Sequence, residues 1–230
     1  MKGVFVTATG TDIGKTFVSC LLAKSLSENL RVGVMKPFSS GSQLDAVRLI
    51  QSSGRKDLSL KDVNPIYYKK PLAPYSAAGL GRKKIDFSRV FESFESLQKK
   101  SDFMIVEGIG GLAVPLTQDW TAAHLAHKLG LPIVIVTHLG LGTLNHTFLT
   151  VDYARKMSLT ILGLISSDSS RKKDLSYQTN FDALPRLTHL PWLLNLPYGS
   201  GSFDQKIQKM LRIHSVQKQI KKIGCLINES

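Results

Sequence analysis

A short stretch near the start of the chain carries residues suited to phosphate chemistry. Residues 7–16 read TATGTDIGKT, and within them Gly14, Lys15 and Thr16 stand between an apolar run and an amphipathic segment. A phosphate-binding loop needs inward-facing backbone N–H groups, a helix N-terminus, a lysine and a metal-binding hydroxyl. The strict loop pattern places glycine at position 9, where this chain has Thr9. We predict that the loop binds the phosphates of a nucleotide.

Two acidic residues could hold the magnesium ion that usually accompanies such a loop. Glu107 ends the apolar run 103–106, and a charged group at the end of a buried strand is costly unless it binds something. A Walker-B-type carboxylate holds Mg²⁺ at this place. Asp45 stands early in a predicted helix, where the helix dipole alone would also favour an acid. Thr16, Asp45 and Glu107 would suffice for Mg²⁺, which takes few protein carboxylates, a hydroxyl and phosphate oxygens.

A lysine follows the second predicted strand. Lys36 precedes Pro37 and then residues 38–41, which read FSSG. A lysine beside a phosphate-binding loop can bridge a phosphate and an incoming carboxylate-like nucleophile. A lysine at a strand end can equally be an ordinary solvated residue, so its position alone leaves both readings open.

The elements that must position these residues are visible as alternating apolar runs and helical patterns. Apolar runs typical of buried strands occupy residues 4–6, 32–35, 103–106, 132–136 and 161–165. Helical spacing occupies residues 15–27, 44–50, 87–97, 122–129, 145–157 and 203–213. This alternation predicts an α/β fold: a doubly wound, mostly parallel sheet flanked by helices, P-loop NTPase-like, in a single domain over residues 1–230.

Two segments carry more specific expectations. Leu44, Val47 and Ile50 recur at helical spacing and predict one apolar face of the second helix. Residues 60–84 break the rhythm with several prolines among tyrosines. We predict that this segment is an ordered loop over the carboxyl edge of the sheet, where ligands bind in such folds.

The charge balance needs its own explanation. Thirty Lys and Arg residues against 17 Asp and Glu residues give a formal net charge of +13. Such an excess could bind nucleic acid, but the cations are scattered in short groups such as Lys99–Lys100, and no recognisable nucleic-acid module accompanies them. We therefore favour a basic solvated surface, whose field would also attract small anionic substrates. We expect neither nucleic acid nor a membrane as a partner.

The sequence also bears on the cellular compartment. No apolar run reaches the roughly 18 residues of a membrane span, and the N-terminal run is too short for a signal peptide. Cys20 and Cys225 lie far apart and form no CxxC pair. These features predict a cytoplasmic protein.

Taken together and in order, the motifs resemble the dethiobiotin synthetase family. That family carries a loop of the form GTDTxVGKT, then KPxxSG, then VEGAGG, then a segment of LGxINH type. The counterparts here are residues 8–16, 36–41, 106–111 and 141–146. The resemblance runs over about residues 4–195 and leaves 196–230 as a C-terminal helical extension. The combination is specific, although no one of these motifs would be.

The resemblance implies an ATP-dependent ligase that closes 7,8-diaminononanoate and CO2 into the ureido ring of dethiobiotin, in biotin biosynthesis. A carbamate forms, attacks the γ-phosphorus of ATP and is then displaced from the mixed anhydride by the second amine. Lys15 and Mg²⁺ would neutralise the transferring phosphoryl group, and Lys36 would hold the carbamate. Thr11 and Asp12 would face the diamine and its carbamate, and Ser40 would support the same site.

The resemblance also implies the remaining binding residues. The residues that it assigns to the nucleotide are Asp12, Ile13, Gly14, Lys15, Thr16, Phe17, Glu107, Gly108, Gly110, Ser167 and Pro191. The distal carboxylate of the substrate would be held by Gly142, Thr143, Leu144 and Asn145 of the partner subunit, since the start of a helix attracts anions. Tyr177 would lie at the same end, and the family implies a homodimer.

The chain departs from the family pattern at several positions. Ala8 replaces the first loop glycine, and Gly10 replaces an aspartate. Ser167 precedes Asp168 where the family has an asparagine that reads the adenine. Serine offers a less specific pair of hydrogen bonds than asparagine, so base selectivity could be relaxed.

Two alternatives follow from the same residues. A partitioning-type P-loop ATPase would use the basic surface as its interaction face, but such proteins usually carry a second lysine early in the loop, and residues 8–14 contain none. The departures at Ala8, Gly10 and Ser167 would also suit a relative that binds nucleotide without turnover.

Overall fold

The computed structural model describes residues 2–81, 84–167 and 175–229. Its centre is a sheet of six strands in the order β2-β5-β1-β6-β7-β8, and every neighbouring pair is parallel. A smaller parallel pair joins β3 and β4. The strands are β1 (Gly3–Ala8), β2 (Val32–Met35), β3 (Phe38–Ser40), β4 (Ile66–Tyr68), β5 (Phe103–Glu107), β6 (Ile133–Thr137), β7 (Ile161–Ser167) and β8 (Trp192–Leu196).

Helices connect and cover the strands. In chain order they are α1 (Lys15–Leu26), α2 (Leu44–Ser53), α3 (Leu60–Val63), α4 (Pro74–Leu80), α5 (Phe87–Lys99), α6 (Ala122–Leu129), α7 (Thr143–Lys156), α8 (Leu175–Thr188), α9 (Phe203–Leu211) and α10 (His214–Glu229). Helix α1 contacts α2, α9 and α10, while α5 packs on β2 and β5, and α7 packs on β7. No helix among the described residues is long and apolar enough to cross a bilayer.

The predicted architecture is confirmed. All five predicted strands and all six predicted helices are present, with ends shifted by a few residues. The central strands β1, β5 and β6 are buried along their whole length. Continuous apolar runs are expected of parallel strands because helices cover both faces of such sheets.

The strand order brings three strand ends together. Strand β1 lies between β5 and β6, and β2 lies on the far side of β5. Val6 pairs with Glu107, and Met35 pairs with Val106. The chain segments that leave β1, β2 and β5 at their carboxyl ends therefore emerge side by side.

Residues 60–84 were expected to form a loop, and that prediction is wrong for much of the segment. It contains α3, β4 and α4, and β4 pairs with the equally unexpected β3. The Asn64 side chain stabilises this arrangement by donating hydrogen bonds to the carbonyl oxygens of Lys36 (2.6 Å) and Ile66 (3.3 Å). Strands of three residues give too short a pattern to be read from sequence.

The apolar face predicted for α2 is only partly buried. Leu44 is 48% exposed and Ile50 packs partly buried against the core, whereas Ala46 and Leu49 are fully buried. The buried residues Ala46, Leu49 and Ser53 follow one another at spacings of three and four residues. Packing of α2 against α1 and β2 therefore centres its buried face on Ala46 and Leu49.

A glycine in β7 provides a test of this packing. A Cβ added at Gly163, where φ is +154°, would lie 2.6 Å from the carbonyl oxygen of Pro191 and 2.8 Å from Leu193. We expect Gly163→Ala to lower the free energy of unfolding by about 1–3 kcal/mol, because a backbone carbonyl cannot easily give way. Urea denaturation measures this value.

The matched control is Gly79→Ala in α4, where no heavy atom of the described chain lies within 4 Å of the added Cβ. Alanine favours a helix over glycine by up to about 1 kcal/mol, so this variant should be as stable as the wild type or slightly more stable. Equal stability of Gly163→Ala and the wild type would contradict the close β7–β8 approach.

Candidate active site

A cavity of about 570 Å³ lies where the segments following β1, β2 and β5 emerge. Its centre is lined by Lys15, Thr16, Lys36, Asp45 and Glu107. All five were predicted as phosphate, metal or carbamate ligands from separate parts of the sequence. The sheet order brings them to one place.

The loop after β1 has the backbone geometry of an anion cradle. Gly14 is the N-cap of α1 in a left-handed conformation, with φ at +101°, and Asp12 also has a positive φ of +58°. A Cβ at residue 14 would collide with the Ser167 side chain, so this position requires glycine. The free N–H groups at the start of a helix attract anions. Among the residues assigned to the nucleotide, Asp12, Gly14 and Phe17 line the cavity.

Lys15 is a buried cation at the centre of this cradle. The residue is only 7% exposed, and its Nζ donates a hydrogen bond to the carbonyl oxygen of Gly10 at 2.8 Å. Burial, followed by the repulsion of Lys36, lowers the pKa of Lys15 from 10.5 to about 8. The charged form is therefore poorly satisfied by the protein itself, as expected of a group that awaits an anion.

Glu107 connects the loop to the strand-end lysine. It is fully buried, and its Oε1 accepts hydrogen bonds from Thr16 Oγ1 (2.8 Å) and Lys36 Nζ (2.6 Å). Lys36 Nζ also donates to the carbonyl oxygen of Gly108 (2.9 Å) and lies 3.6 Å from Asp45 Oδ2. A hydroxyl, two carboxylates and a lysine thus share one contiguous network.

One carboxylate oxygen of the network is suited to binding Mg²⁺. Glu107 Oε2 is buried and has no hydrogen-bond partner in the described structure. A buried carboxylate oxygen without a partner is energetically costly. Mg²⁺ prefers oxygen ligands and is usually held by one or two carboxylates together with phosphates and water. The hydroxyl of Thr16 and the carboxylates of Glu107 and Asp45 fit this ion.

The rest of the cavity lining combines hydroxyls with apolar groups. Thr11 and Ser40, which were assigned to the substrate, belong to it. The hydroxyls of Ser39 and Ser40 are buried and have no hydrogen-bond partner within the described residues. The lining also includes Ile109, Gly110, Val114 and residues 71–73. Free hydroxyls beside apolar surface suit a ligand with an aliphatic chain and a polar head.

Five of the predicted substrate residues lie away from this cavity. Gly142, Thr143, Leu144 and Asn145 form the start of α7 and do not line it. The Thr143 hydroxyl is buried and is used internally, in hydrogen bonds to Thr137 Oγ1 (2.8 Å) and the carbonyl oxygen of His138 (2.6 Å). Tyr177 is a partly buried residue of α8 and packs against the core. Within one chain, these residues and the cavity are separate.

The predicted nucleotide contacts outside the loop have different outcomes. Ser167 lies at the carboxyl end of β7, directly against Gly14. Asp168 lies outside the described residues. Gly108 supports the site through its carbonyl oxygen, and Ile13 packs against the core.

The assignment of Pro191 requires correction. It precedes the first residue of β8, and β8 runs parallel to β7 and β1. Pro191 therefore lies at the amino edge of the sheet. The length of the strands, at about 3.3 Å per residue, separates it from the phosphate loop at the carboxyl edge. The segment that follows β8 on the side of the phosphate loop begins after Leu196.

Arg48 and Phe203 are among the cavity residues that were not identified from the sequence. Arg48 follows Asp45 by three residues on α2, a spacing that places both side chains on one helix face. That spacing could have identified it. Phe203 comes from α9, far along the chain, and no local pattern indicates such a contact.

Comparisons with known proteins agree with this geometry. Residues 2–202 match the family model described as an AAA domain. The ATP-dependent dethiobiotin synthetase of Endomicrobium trichonymphae is 39% identical over 202 residues, which cover 86% of this chain and 93% of that protein. The enzyme of the same name from Bacillus subtilis (strain 168) is 38% identical over 219 residues, covering 93% and 95%.

Solved structures share the fold at low identity. The MinC:MinD cell division protein complex of Aquifex aeolicus aligns with a TM-score of 0.64 at 12% identity, covering 97% of this chain and 95% of that chain. A ParA family ATPase from Chlorobium tepidum TLS aligns with a TM-score of 0.60 at 15% identity, covering 98% and 99%. Identities this low establish the fold and nothing more.

The buried charge on Lys15 leads to a prediction about stability. Its pKa is about 8 in the folded protein and 10.5 normally, so below about pH 8 the folded protein carries a poorly solvated charge. We expect Lys15→Met to raise the free energy of unfolding of the nucleotide-free protein by about 1–3 kcal/mol near pH 7. The gain should shrink as the pH rises from about 8 towards 10, because the wild-type lysine then loses its proton.

Chemical denaturation of both proteins at several pH values measures this difference. Lys24→Met, at an exposed position of the same helix, should change stability by less than about 0.5 kcal/mol. A loss of stability in Lys15→Met at neutral pH would show that the lysine is satisfied without a ligand.

Proposed function

The chain belongs to the ATP-dependent dethiobiotin synthetase family, and from this premise we propose how its cleft performs the family's reaction. The substrates are 7,8-diaminononanoate, CO2 and ATP, and the products are dethiobiotin, ADP and phosphate. The observation that best supports this function is the contact of Lys36 with Glu107 beside the phosphate loop. A second cation beside the phosphate loop supports the proposal, because it could hold an incoming carbamate against the γ-phosphate.

The nucleotide is held by the cradle after β1. Its phosphates accept hydrogen bonds from the N–H groups at the start of α1, and Lys15 exchanges the Gly10 carbonyl for a phosphate oxygen. Mg²⁺ is held by Thr16, Glu107 and Asp45, and when bound it supplies charge neutralisation at the phosphate oxygens. Phosphate binding should return the pKa of Lys15 towards its ordinary value, because an anion favours the charged form.

The reaction proceeds through a carbamate. One amine of the substrate forms a C–N bond to CO2 and loses a proton. A carbamate oxygen then attacks the γ-phosphorus while the bond to the ADP oxygen breaks. The second amine attacks the carbonyl carbon and loses its proton, and phosphate leaves with the electrons of the C–O bond as the ring closes.

The side chains of the cleft position these groups. Lys36 holds the carbamate against the phosphoryl group, and its contact with Glu107 keeps the ammonium in place. Thr11, Asp12 and Ser40 face the diamine, and apolar residues of the cavity lining contact its aliphatic chain. Catalysis is thus mainly positioning and charge neutralisation, as expected for phosphoryl transfer.

The distal carboxylate of the substrate is held across a dimer. Gly142 and Asn145 are exposed at the start of α7, whose free N–H groups attract anions. Leu141, Phe148 and Leu149 are exposed at or near this helix start, at 88%, 50% and 57%. An apolar surface of this kind marks an interface, and a second copy of the chain is its proposed occupant.

Three further assignments belong to this proposal. Ser167 lies nearest the base, at the position of the family's adenine-reading asparagine. Tyr177 stands at the distal-carboxylate end of the substrate. The protein is cytoplasmic.

Replacement of the buried Glu107 carboxylate by a neutral amide tests the proposed chemistry. Glu107→Gln removes the charge that orients Lys36 and binds Mg²⁺, so kcat for dethiobiotin formation should fall about 100-fold or more. The assay contains 7,8-diaminononanoate, bicarbonate, Mg²⁺ and ATP. Glu95→Gln, at an exposed position of α5, is the matched control and should keep full activity. No product from the wild type with any nucleoside triphosphate would reject the proposed function.

Mixing two inactive variants tests the shared site. Asn145→Asp keeps the helix start but repels a carboxylate, and Lys36→Met removes the carbamate contact. If each site combines residues of two chains, a mixed dimer contains one intact site. Equimolar mixing should then restore roughly a quarter of the wild-type activity. Failure to restore activity, in a mixture shown by mass to contain mixed dimers, would place both residues in one chain's site.

A further inference from the structure

One end of the cavity is formed by an aromatic and cationic cluster that the proposed mechanism does not use. Arg48 Cζ lies over the Phe203 ring, 4.2 Å from its centroid. Phe203 meets Phe17 edge to face, with ring centroids 5.7 Å apart and an interplanar angle of 85°. All three residues line the cavity that contains Lys15 and Thr16.

Arg48 is held in place but its hydrogen-bonding capacity is unused. Across the described residues it takes part in no hydrogen bond and no ion pair. Its contact with Phe203 occupies one face of the guanidinium and leaves the N–H groups at its edge free. An arginine with free donors in a cavity built for phosphate is well suited to bind phosphate oxygens in a bidentate manner.

We propose that Arg48 binds the phosphate chain of the nucleotide, at the diphosphate part shared by ATP and ADP, and that Phe203 holds it there. The assignment rests on the proposed function only in requiring that this cleft bind a nucleoside triphosphate. Arg48 is then a substrate-binding residue, and Phe203 is a positioning residue that acts through it.

The location within the cleft favours the diphosphate part over the γ-phosphate. Asp45 and Glu107 each form an ion pair with Lys36, and in the proposed mechanism the three residues surround the site of phosphoryl transfer. Phe17 directly follows Thr16 in the first turn of α1, and Phe203 rests on Phe17. A cation at this end would also stabilise the negative charge that develops on ADP as it leaves.

The C-terminal part of the chain thereby becomes part of the active site. Phe203 is the first residue of α9, and a capping box fixes this helix start, with Ser202 Oγ accepting from the Gln205 N–H at 3.3 Å. Gln205 Oε1 in turn accepts from the Ser202 N–H at 3.0 Å. Helix α9 packs on α1, so the ring is anchored to the same helix that begins at the phosphate loop.

Calorimetric titration of the full chain with Mg-ATP and with Mg-ADP tests the proposal. Arg48→Ala should raise the Kd of both nucleotides about 10- to 100-fold, because a charge-assisted hydrogen bond is lost. Arg48→Lys, which keeps the charge but loses the planar donors, should be intermediate. Phe203→Leu should weaken binding less than Arg48→Ala, and adding it to Arg48→Ala should have little further effect.

Arg212→Ala, at an exposed position at the end of α9, removes the same charge outside the cavity and should bind both nucleotides as the wild type does. Wild-type affinity in Arg48→Ala, or a loss confined to ATP, would overturn the proposal. Dethiobiotin formation is measured separately. A wild type that binds nucleotide but forms no product would reject the proposed function and leave this inference standing.

Discussion

The active site depends on one buried ion pair at the carboxyl edge of the sheet. Glu107 is fully buried and Lys36 is 4% exposed, and their charged atoms lie 2.6 Å apart. Neither charge would be tolerated alone at this depth, since an unpaired buried ion is strongly destabilising. The pairing of Met35 with Val106 places the two residues at neighbouring strand ends. The strand register is therefore a condition of the site as well as of the core, and a slip by one residue would separate the pair.

Because Glu107 and Lys36 pair with each other, two neighbouring groups remain poorly satisfied. One is the Lys15 ammonium, which lacks an anion, and the other is the second oxygen of Glu107, which lacks a cation or a donor within the described structure. Among the described residues, Lys15 has a backbone carbonyl as its one hydrogen-bond partner, and Lys36 repels it. Glu107 Oε2 has no hydrogen-bond donor within the same part of the chain. A phosphate and a divalent cation would satisfy both groups simultaneously, so binding of either should favour binding of the other. This complementarity explains why a cluster that is unfavourable for folding is found at the carboxyl edge of the sheet.

Features that depend on neighbouring residues in the chain could be predicted from the sequence, and contacts between distant segments could not. The phosphate loop, Lys36 and Glu107 each follow an apolar run, and parallel strands bring such residues to one edge whatever their order. The pairing of β3 with β4 depends on three-residue strands and on the Asn64 side chain, and neither leaves a periodic pattern. Pro191 was misplaced because a proline–tryptophan pair does not reveal which end of a strand it occupies. Phe203 reaches the site only through the packing of α9 on α1, which no local pattern encodes.

The loop geometry explains why Ala8 and Gly10, which depart from the family pattern, are compatible with a phosphate-binding loop. Ala8 is the last residue of β1 and pairs with Val136, so it is extended and needs no glycine. A Cβ at Gly10 would meet nothing closer than Ile13 at 3.8 Å within the described chain, so this glycine is not sterically required. Gly14 is required, because Ser167 fills the space beside it. The backbone geometry of the phosphate loop therefore tolerates both departures, and the one position that requires glycine has it. On the proposed assignment, serine at position 167 would offer the base a less specific pair of hydrogen bonds than the family's asparagine, while Arg48 and Phe203 would supply affinity that does not depend on the base. Under that proposal the cleft would recognise the phosphate chain more strictly than it recognises adenine.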